Sequence, residues 1–537
     1  MTKSRRSFGP VVAIALVLAA CSSGDNGSVS DAATTVVTDV AEPTTEPTTE
    51  PTMEPTTAPT TSATERTTVS STIASTEPTA ARAPTEVAEA SATDAGIAQP
   101  IGNAPLPEGY VETEYLLGGE ATGYASQGDL PADGFWAAAE GEVAPYRTRM
   151  IVRLPPEELF SGTVLVEWMN VTAGTDTTPD WGFLHEEIGR SGHAYVAVSV
   201  QEVGVNGMEG SPVEGGLIDT RGLKVRDENR YGSLEHPGDA FAFDIFTQAG
   251  AAVYGLDGID VLGGLEPGQV IALGESQSAT FMTTYVNAIH PLVELYDGFL
   301  IHSRGASART PGGERTRDAG GVLIRTDLTV PVFTFETETD VLVLGFEAAR
   351  QQDSEMVHTW EVAGTAHADS YSLSTATGLP REPGLGEFIG CAAPINDGPQ
   401  HETLQAALRH LVAWVVDGTT PPSSPRVRLE EGACGLLISR DDLGIARGGI
   451  RTPPVDVPTR VLSGDPSSDD AGLCFLFGQT LPFPDGTLSE LYQGLDDYVD
   501  QLNSAAGEAV ALGWLLPEDA ATMIAEETAR AAELGFG

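Results

Sequence analysis

Short apolar or β-rich runs recur through the middle of the chain at residues 150–154, 163–168, 194–200, 270–273, 298–302, 330–335 and 356–362, each the length of a buried strand. Between them lie segments whose apolar residues repeat at three- and four-residue spacing: 181–190, 239–254, 279–289 and 404–416. Continuous apolar strands alternating with amphipathic helices predict a mostly parallel sheet covered by helices on both faces. The first two strands surround the turn Ser161-Gly162, which predicts an antiparallel hairpin. Asp417-Gly418 stops the helix at 404–416, and a Pro/Gly-rich crossing follows from 421 to 458. Two further amphipathic helices are predicted at 488–502 and 518–534; Pro517-Glu518-Asp519 puts acidic side chains in the first turn of the second, where the helix dipole favours them.

The strand at 270–273 ends in Gly274-Glu275-Ser276-Gln277-Ser278, and the next helix begins at once. This is the strand–turn–helix context of a nucleophile elbow, a turn so sharp that the residues two before and two after the nucleophile must be small. Gly274 and Ser278 meet that demand, although serine stands where glycine is usual. The elbow would hold Ser276 Oγ above the strand end, with the following helix N-terminus supporting a developing negative charge. Together with the antiparallel start, it makes the expected fold an α/β-hydrolase sheet. The oxyanion hole should pair the Gln277 backbone N–H with one from the loop after Trp168, from Asn170 or Val171.

A serine nucleophile in such a sheet needs an acid and then a histidine, in that order along the chain. The strand at 330–335 runs into Glu336-Thr-Glu-Thr-Asp340, and the strand at 356–362 opens onto Gly364-Thr-Ala-His367-Ala-Asp369. Both therefore lie just beyond strand C-terminal ends, where crevices form in open α/β sheets. His367, in a loop of small residues, is the expected general base. Asp340 has the offset from Pro331 expected of the acid; Glu338 is the alternative, and Glu336 is a third carboxyl of what looks like a solvated acidic turn. His358 and His302 lie within or close to strands and are expected to be packed there. Arg304, just past a strand end, is placed either to meet an anionic substrate or to pair with a carboxylate.

The segments Glu167-Trp-Met-Asn-Val171, Gly274-Glu-Ser-Gln-Ser-Ala279, Asp297-Gly-Phe-Leu-Ile-His-Ser-Arg-Gly305, Glu336-Thr-Glu-Thr-Asp340 and Trp360-Glu-Val-Ala-Gly-Thr-Ala-His367 resemble, in this order, a bacterial α/β-hydrolase-domain family. The resemblance runs from about Pro105 to the C-terminus. It implies the hydrolase fold and a site at Ser276, an acid near Asp340, and His367. It implies little about substrate, so the site itself has to carry the functional claim.

The ends and the composition add context. Residues 1–21 combine Lys3, Arg5 and Arg6 with a short apolar core and Leu18-Ala-Ala-Cys21, the form of a lipoprotein signal peptide with Cys21 as the lipid-bearing residue. Ser4-Arg-Arg-Ser-Phe8 also resembles a twin-arginine signal, leaving the export route open. Residues 22–100, dense in Thr, Pro, Glu and Ala, are expected to form a disordered tether, because they cannot bury enough apolar surface to offset their ordering entropy. The expected catalytic domain is then 101–420, with 421–537 as an extension packed on it as a buttress or a lid. A formal charge of −49, with Lys3 and Lys224 the only lysines, excludes nucleic acid as a partner, since that requires a basic footprint. Beyond Cys21 only Cys391, Cys434 and Cys474 remain, so one intramolecular disulfide would leave one thiol over. No zinc-ligand spacing and no Gly-rich nucleotide loop is present, so neither metal nor cofactor is expected.

These features predict an exported, lipid-anchored serine hydrolase that cleaves a small-molecule carboxylic ester through an acyl-enzyme. Amidase or peptidase chemistry on the same residues, and a hydrolase-like envelope protein that binds without turnover, are the alternatives.

Overall fold

The computed structural model describes residues 81–93, 96–208, 221–316, 320–433, 435–467 and 472–534. Cys21, the expected export signal and the expected tether up to residue 80 lie outside these residues. At the centre is a nine-stranded sheet of order β1-β2-β3-β5-β4-β6-β7-β8-β9. Its strands are β1 (Glu86–Glu89), β2 (Val111–Ser126), β3 (Ala138–Leu154), β4 (Thr163–Trp168), β5 (Ala194–Val198), β6 (Gln269–Glu275), β7 (Gly298–His302), β8 (Val332–Thr337) and β9 (Val357–Val362). β1, β2, β3 and β5 join antiparallel, and from β5 to β9 every pairing is parallel.

The hairpin expected around Ser161-Gly162 does not form. β3 pairs instead with β5, Met150 opposite Val198, while β4 lies between β5 and β6. All six residues of β4 are buried, so the strand needs a partner on each edge, which the interior of the sheet supplies. The turn residues serve other elements: Ser161 N–H donates to Gly192 O, and Gly162 O accepts from Gly268 N–H.

The tether also ends sooner than expected. β1 pairs with β2, Arg82 bonds Glu140, and Ala90 is buried, so residues from 81 onward belong to the fold. An edge strand is held by main-chain hydrogen bonds, and a polar composition does not prevent it.

The principal helices are α1 (Pro179–Ser191), α2 (Ala242–Val253), α3 (Gln277–Thr284), α4 (Glu338–Leu342), α5 (Ser370–Thr377), α6 (Gln400–Asp417), α7 (Leu495–Ala511) and α8 (Pro517–Leu534). α1 and α6 cover one sheet face over Leu165, Leu273, Phe333 and Phe335; α2 and α3 cover the other over Val164, Trp168, Ala272 and Ile301. The helix expected at 488–502 is split, because Gly494 at φ +153° separates a short turn (Thr487–Leu491) from α7.

The extension is fastened to the sheet domain throughout. Arg190 of α1 pairs with Asp519 of α8, Arg409 of α6 with Glu518, and His410 contacts Gly513 O. A disulfide joins Cys391 to Cys474, while Cys434 lies outside the described residues. Ile450 and Val362 of β9 form a parallel bridge. Residues 101–420 and 421–537 therefore do not separate into two bodies; residues 76–537 form one compact unit.

Candidate functional site

β6 ends at Glu275, and Ser276 turns the chain into α3 with φ +56° and ψ −113°. A β-branched or bulky residue would be strained there, and even serine persists only because the surroundings fix it. They do so through Ser276 N–H, which donates to His302 O of the neighbouring strand, and Ser276 O, which accepts from Thr280 N–H. Gly274 is required by the crossing: a β-carbon there would lie 3.3 Å from the Ser278 backbone. Ser278 is fully buried under that crossing, and its small side chain fits where glycine is usual.

His367 comes to this elbow from the loop after β9. Its Nε2 lies 2.8 Å from Ser276 Oγ, and its Nδ1 lies 2.6 Å from Asp340 Oδ1. Asp340 is the third residue of α4, in a capping box with Thr337; its other oxygen, Oδ2, accepts from Thr337 N–H and Oγ1–H, both at 2.7 Å. The carboxylate is thus clamped on the side away from the imidazole, with one oxygen left to face the ring. Burial raises the Asp340 pKa, but the His367 charge and hydrogen bond and the Thr337 donors overcome this and hold it below the ordinary value. Burial disfavours charge on His367, yet Asp340 and, after it, Glu275 raise the imidazole above its usual range. Ser276 remains half-buried, whereas His367 and Asp340 are buried.

The turn after β8 is not solvated as expected, for Glu336, Glu338 and Asp340 all have 0 % exposure. Glu338 faces away from His367: Oε1 accepts from Gly364 N–H at 2.5 Å, and Oε2 accepts from Gly464 N–H at 3.0 Å and Arg440 Nη2 at 2.8 Å. It clasps the His367 loop to the extension, and Ala368 N–H, donating to Leu476 O, adds a second fastening. At Glu336, burial and then the nearby Asp340 outweigh the Arg304 charge and backbone N–H and raise the carboxyl pKa well above the ordinary range.

Of the two candidates for the second oxyanion donor, Asn170 fails on its backbone, since its N–H is bonded to Thr177 O. The N–H groups of Gln277 and Val171 have no acceptor among the described residues. The Asn170 side chain has another task. Its Nδ2 donates to Glu275 O and Oε2, and its Oδ1 accepts from Thr172 N–H, shaping the loop in which Val171 sits. Glu275 itself, unassigned by sequence reasoning, places Oε1 3.3 Å from His367 Nε2. Its signal was a carboxyl at the end of an otherwise apolar strand, directly beside the nucleophile.

The remaining candidates lie apart from this chain of contacts. His302 is buried behind the elbow with Nδ1 2.8 Å from Asp180, and burial holds its pKa down to about 4. His358, on β9, packs edge-on against Trp414. Arg304 is buried with its guanidinium on Val322 O and Thr283 Oγ1, so it offers no charge to a substrate. A charged, solvent-open crevice between Arg381, Asp397, Glu402 and Arg530 contains none of the site residues.

A parallel sheet with an elbow serine at the C-terminal end of a central strand, hydrogen-bonded to a histidine from a later strand end, defines an α/β-hydrolase. The model of the family described as alpha/beta hydrolase domain matches residues 75–525, and the chain belongs to that family. It is accordingly a hydrolase. Solved structures that resemble it include XC6422 from Xanthomonas campestris, described as an a/b serine hydrolase without lid, at 12% identity and TM-score 0.26, covering 50% of this chain and 94% of that one. Acetyl xylan esterase 1 from Thermoanaerobacterium sp. JW/SL YS485 shows 11% identity and TM-score 0.23, over 45% of this chain and 80% of the other. No curated protein matches the chain.

Proposed function

We propose that the protein is an extracytoplasmic carboxylic-ester hydrolase working through an acyl-enzyme on Ser276, His367 and Asp340. The observation that carries this reading is the unbroken hydrogen-bonded chain from Ser276 Oγ through both nitrogens of His367 to a clamped, ionised Asp340. His367 Nε2 removes the Ser276 proton as Oγ bonds to the ester carbonyl carbon. Asp340 fixes the tautomer with Nδ1 protonated and steadies the imidazolium that results. The Gln277 and Val171 N–H groups receive the oxyanion. The alkoxide departs with the His367 proton, and water, activated by the same nitrogen, hydrolyses the acyl-enzyme.

The export signal ending at Cys21 and the Cys391–Cys474 disulfide support placement outside the cytoplasm on a lipid anchor, since such bonds persist in oxidising compartments. Membrane partition of the mature protein, lost in Cys21→Ala, tests that placement. The contacts of α8, and of Gly513 just before it, with α1 and α6 support a buttress rather than a lid.

Labelling with a fluorophosphonate probe tests the chemistry. Ser276 should be the labelled residue, and Ser276→Ala should abolish labelling and lower p-nitrophenyl acetate hydrolysis by at least ~10³-fold with the fold intact. Near-normal turnover in folded Ser276→Ala protein would reject the reading.

A further inference from the structure

Two carboxyl groups touch the His367 imidazole, one at each nitrogen. Asp340 Oδ1 meets Nδ1 at 2.6 Å; Glu275 Oε1 meets Nε2 at 3.3 Å, the same nitrogen that Ser276 Oγ reaches. The mechanism above uses only the first. Glu275 is 7 % exposed, and among the described residues no arginine or lysine pairs with it. Its Oε2 accepts from Asn170 Nδ2 at 2.9 Å, which holds the carboxyl against the ring. Burying a carboxyl without a cationic partner is costly. Its placement at the proton-carrying nitrogen points to a role in the chemistry.

We propose that Glu275 is a positioning residue for His367, which when ionised braces the imidazolium formed during attack and so sets the pH at which the site turns on. This rests on the assignment of Ser276 and His367 as nucleophile and base. The Ser276 proton passes to Nε2 as the Oγ–C bond forms. It stays there, on an imidazolium flanked by the two carboxylates, while the tetrahedral intermediate lasts, and it leaves with the alkoxide as the C–O bond breaks. Glu275 ends each cycle in the ionisation state in which it began.

The groups facing this pair can be named from each neighbouring element. α4 brings Asp340, β7 brings His302, and α1 brings Asp180; Asp369, beyond β9, stands further back beside His302. Burial keeps His302 neutral above about 4 and pushes Asp180 up to about 8. Burial lifts Glu275 to about 7 against the pull of His367 and His302, so its charge changes within the range where His367 works.

Glu275→Gln keeps the size of the side chain and, through its amide oxygen, the Asn170 contact. The rate of Ser276 labelling and kcat/KM for p-nitrophenyl acetate are measured from pH 5 to 9. The midpoint of the rising limb should move about one pH unit toward acid, because an opposite charge has been removed from beside the imidazolium. The plateau should fall about tenfold. A purely structural role would scale the rate at every pH and leave the midpoint in place, so an unmoved midpoint in folded Glu275→Gln protein overturns the proposal. Absence of Ser276 labelling in the unaltered protein would instead reject the underlying nucleophile assignment. If the variant does not fold, the unaltered protein decides by NMR of ¹³C-labelled histidine. His367 should report two coupled ionisations, and a single step overturns the proposal.

Discussion

Replacing Asp340 by asparagine exposes how the acid works, because the structure dictates which way the amide must face. Oδ2 of Asp340 receives two donors, Thr337 N–H and Thr337 Oγ1–H, each at 2.7 Å. An asparagine must present its carbonyl oxygen to those donors, since turning its NH₂ toward them would leave a buried backbone N–H unpaired at a cost of ~1–3 kcal/mol. The NH₂ then faces His367 Nδ1 across the 2.6 Å contact. A nitrogen facing a donor has to accept, so the ring moves its proton to Nε2. In that tautomer Nε2 has no lone pair for the Ser276 proton, and the negative charge that stabilised the imidazolium is gone as well.

The expected loss in kcat is ~10³–10⁴-fold, equivalent to ~4–5.5 kcal/mol of transition-state stabilisation. Folding stability should change by only ~1 kcal/mol, because every hydrogen bond finds a partner. The assay is steady-state hydrolysis of p-nitrophenyl acetate beside a thermal melt of the same sample. The contrast is Glu338→Gln. There a single amide oxygen replaces two carboxylate oxygens that serve Gly364, Gly464 and Arg440, so the melt should suffer while kcat stays within about tenfold. The reasoning is refuted if Asp340→Asn keeps kcat within tenfold, or if Glu338→Gln proves the crippling change in protein of equal foldedness.

Activity should rise with pH through a limb whose midpoint lies above the ordinary imidazole value, since Asp340 and Glu275 raise His367 and only its neutral form can accept a proton. His367→Ala should remove that limb, whereas His358→Ala should lower the melting temperature and leave the limb in place; the reverse ranking would transfer the base to His358. Acid stability should depend on Asp397. Burial raises this carboxyl, but Arg381, Arg460 and Arg530 with Ser370 more than compensate and bring it down to about 2. A carboxyl depressed in the folded state stabilises above its unfolded pKa and loses that contribution as pH falls through the folded one. Asp397→Asn should therefore cost about 2 kcal/mol at pH 7 and nearly nothing at pH 2, and an equal cost at both values in urea titrations would disprove the ionic origin.

The sheet was legible because its strands announce themselves: β4 to β9 are buried almost throughout and so are rich in apolar and β-favouring residues. The elbow was legible because steric demand confines it to small residues at Gly274 and Ser278. Pairing was not, since Ser161-Gly162 looks locally like a hairpin turn and only the need of β4 for two neighbours moves β5 between them. β1 was missed for the opposite reason: a four-residue edge strand with glutamate at both ends has no clear apolar signature and is held through its backbone. Burial of Glu338 was also invisible, because its partners, Arg440 and Gly464, arrive from 102 and 126 residues downstream. Long-range clasps of this kind have no local sequence pattern.

Close donors, by contrast, decide which carboxyl near the site carries charge. Several are buried around His367, and burial alone would make all of them neutral acids. Asp180 is pushed up to about 8, Glu275 to about 7 and Asp369 to about 6, and Glu336 rises well above the ordinary range. Asp340 alone among these is driven below its ordinary value, because it is the one that combines two Thr337 donors with the imidazole. An acid that must stabilise an imidazolium has to be ionised before the proton arrives, whereas a second carboxylate charged at every working pH would shift the range of His367 as a base further toward alkali. Spreading the buried carboxyls across a range of pKa values meets both demands, and it depends on the α4 capping box as much as on the residues that touch Ser276.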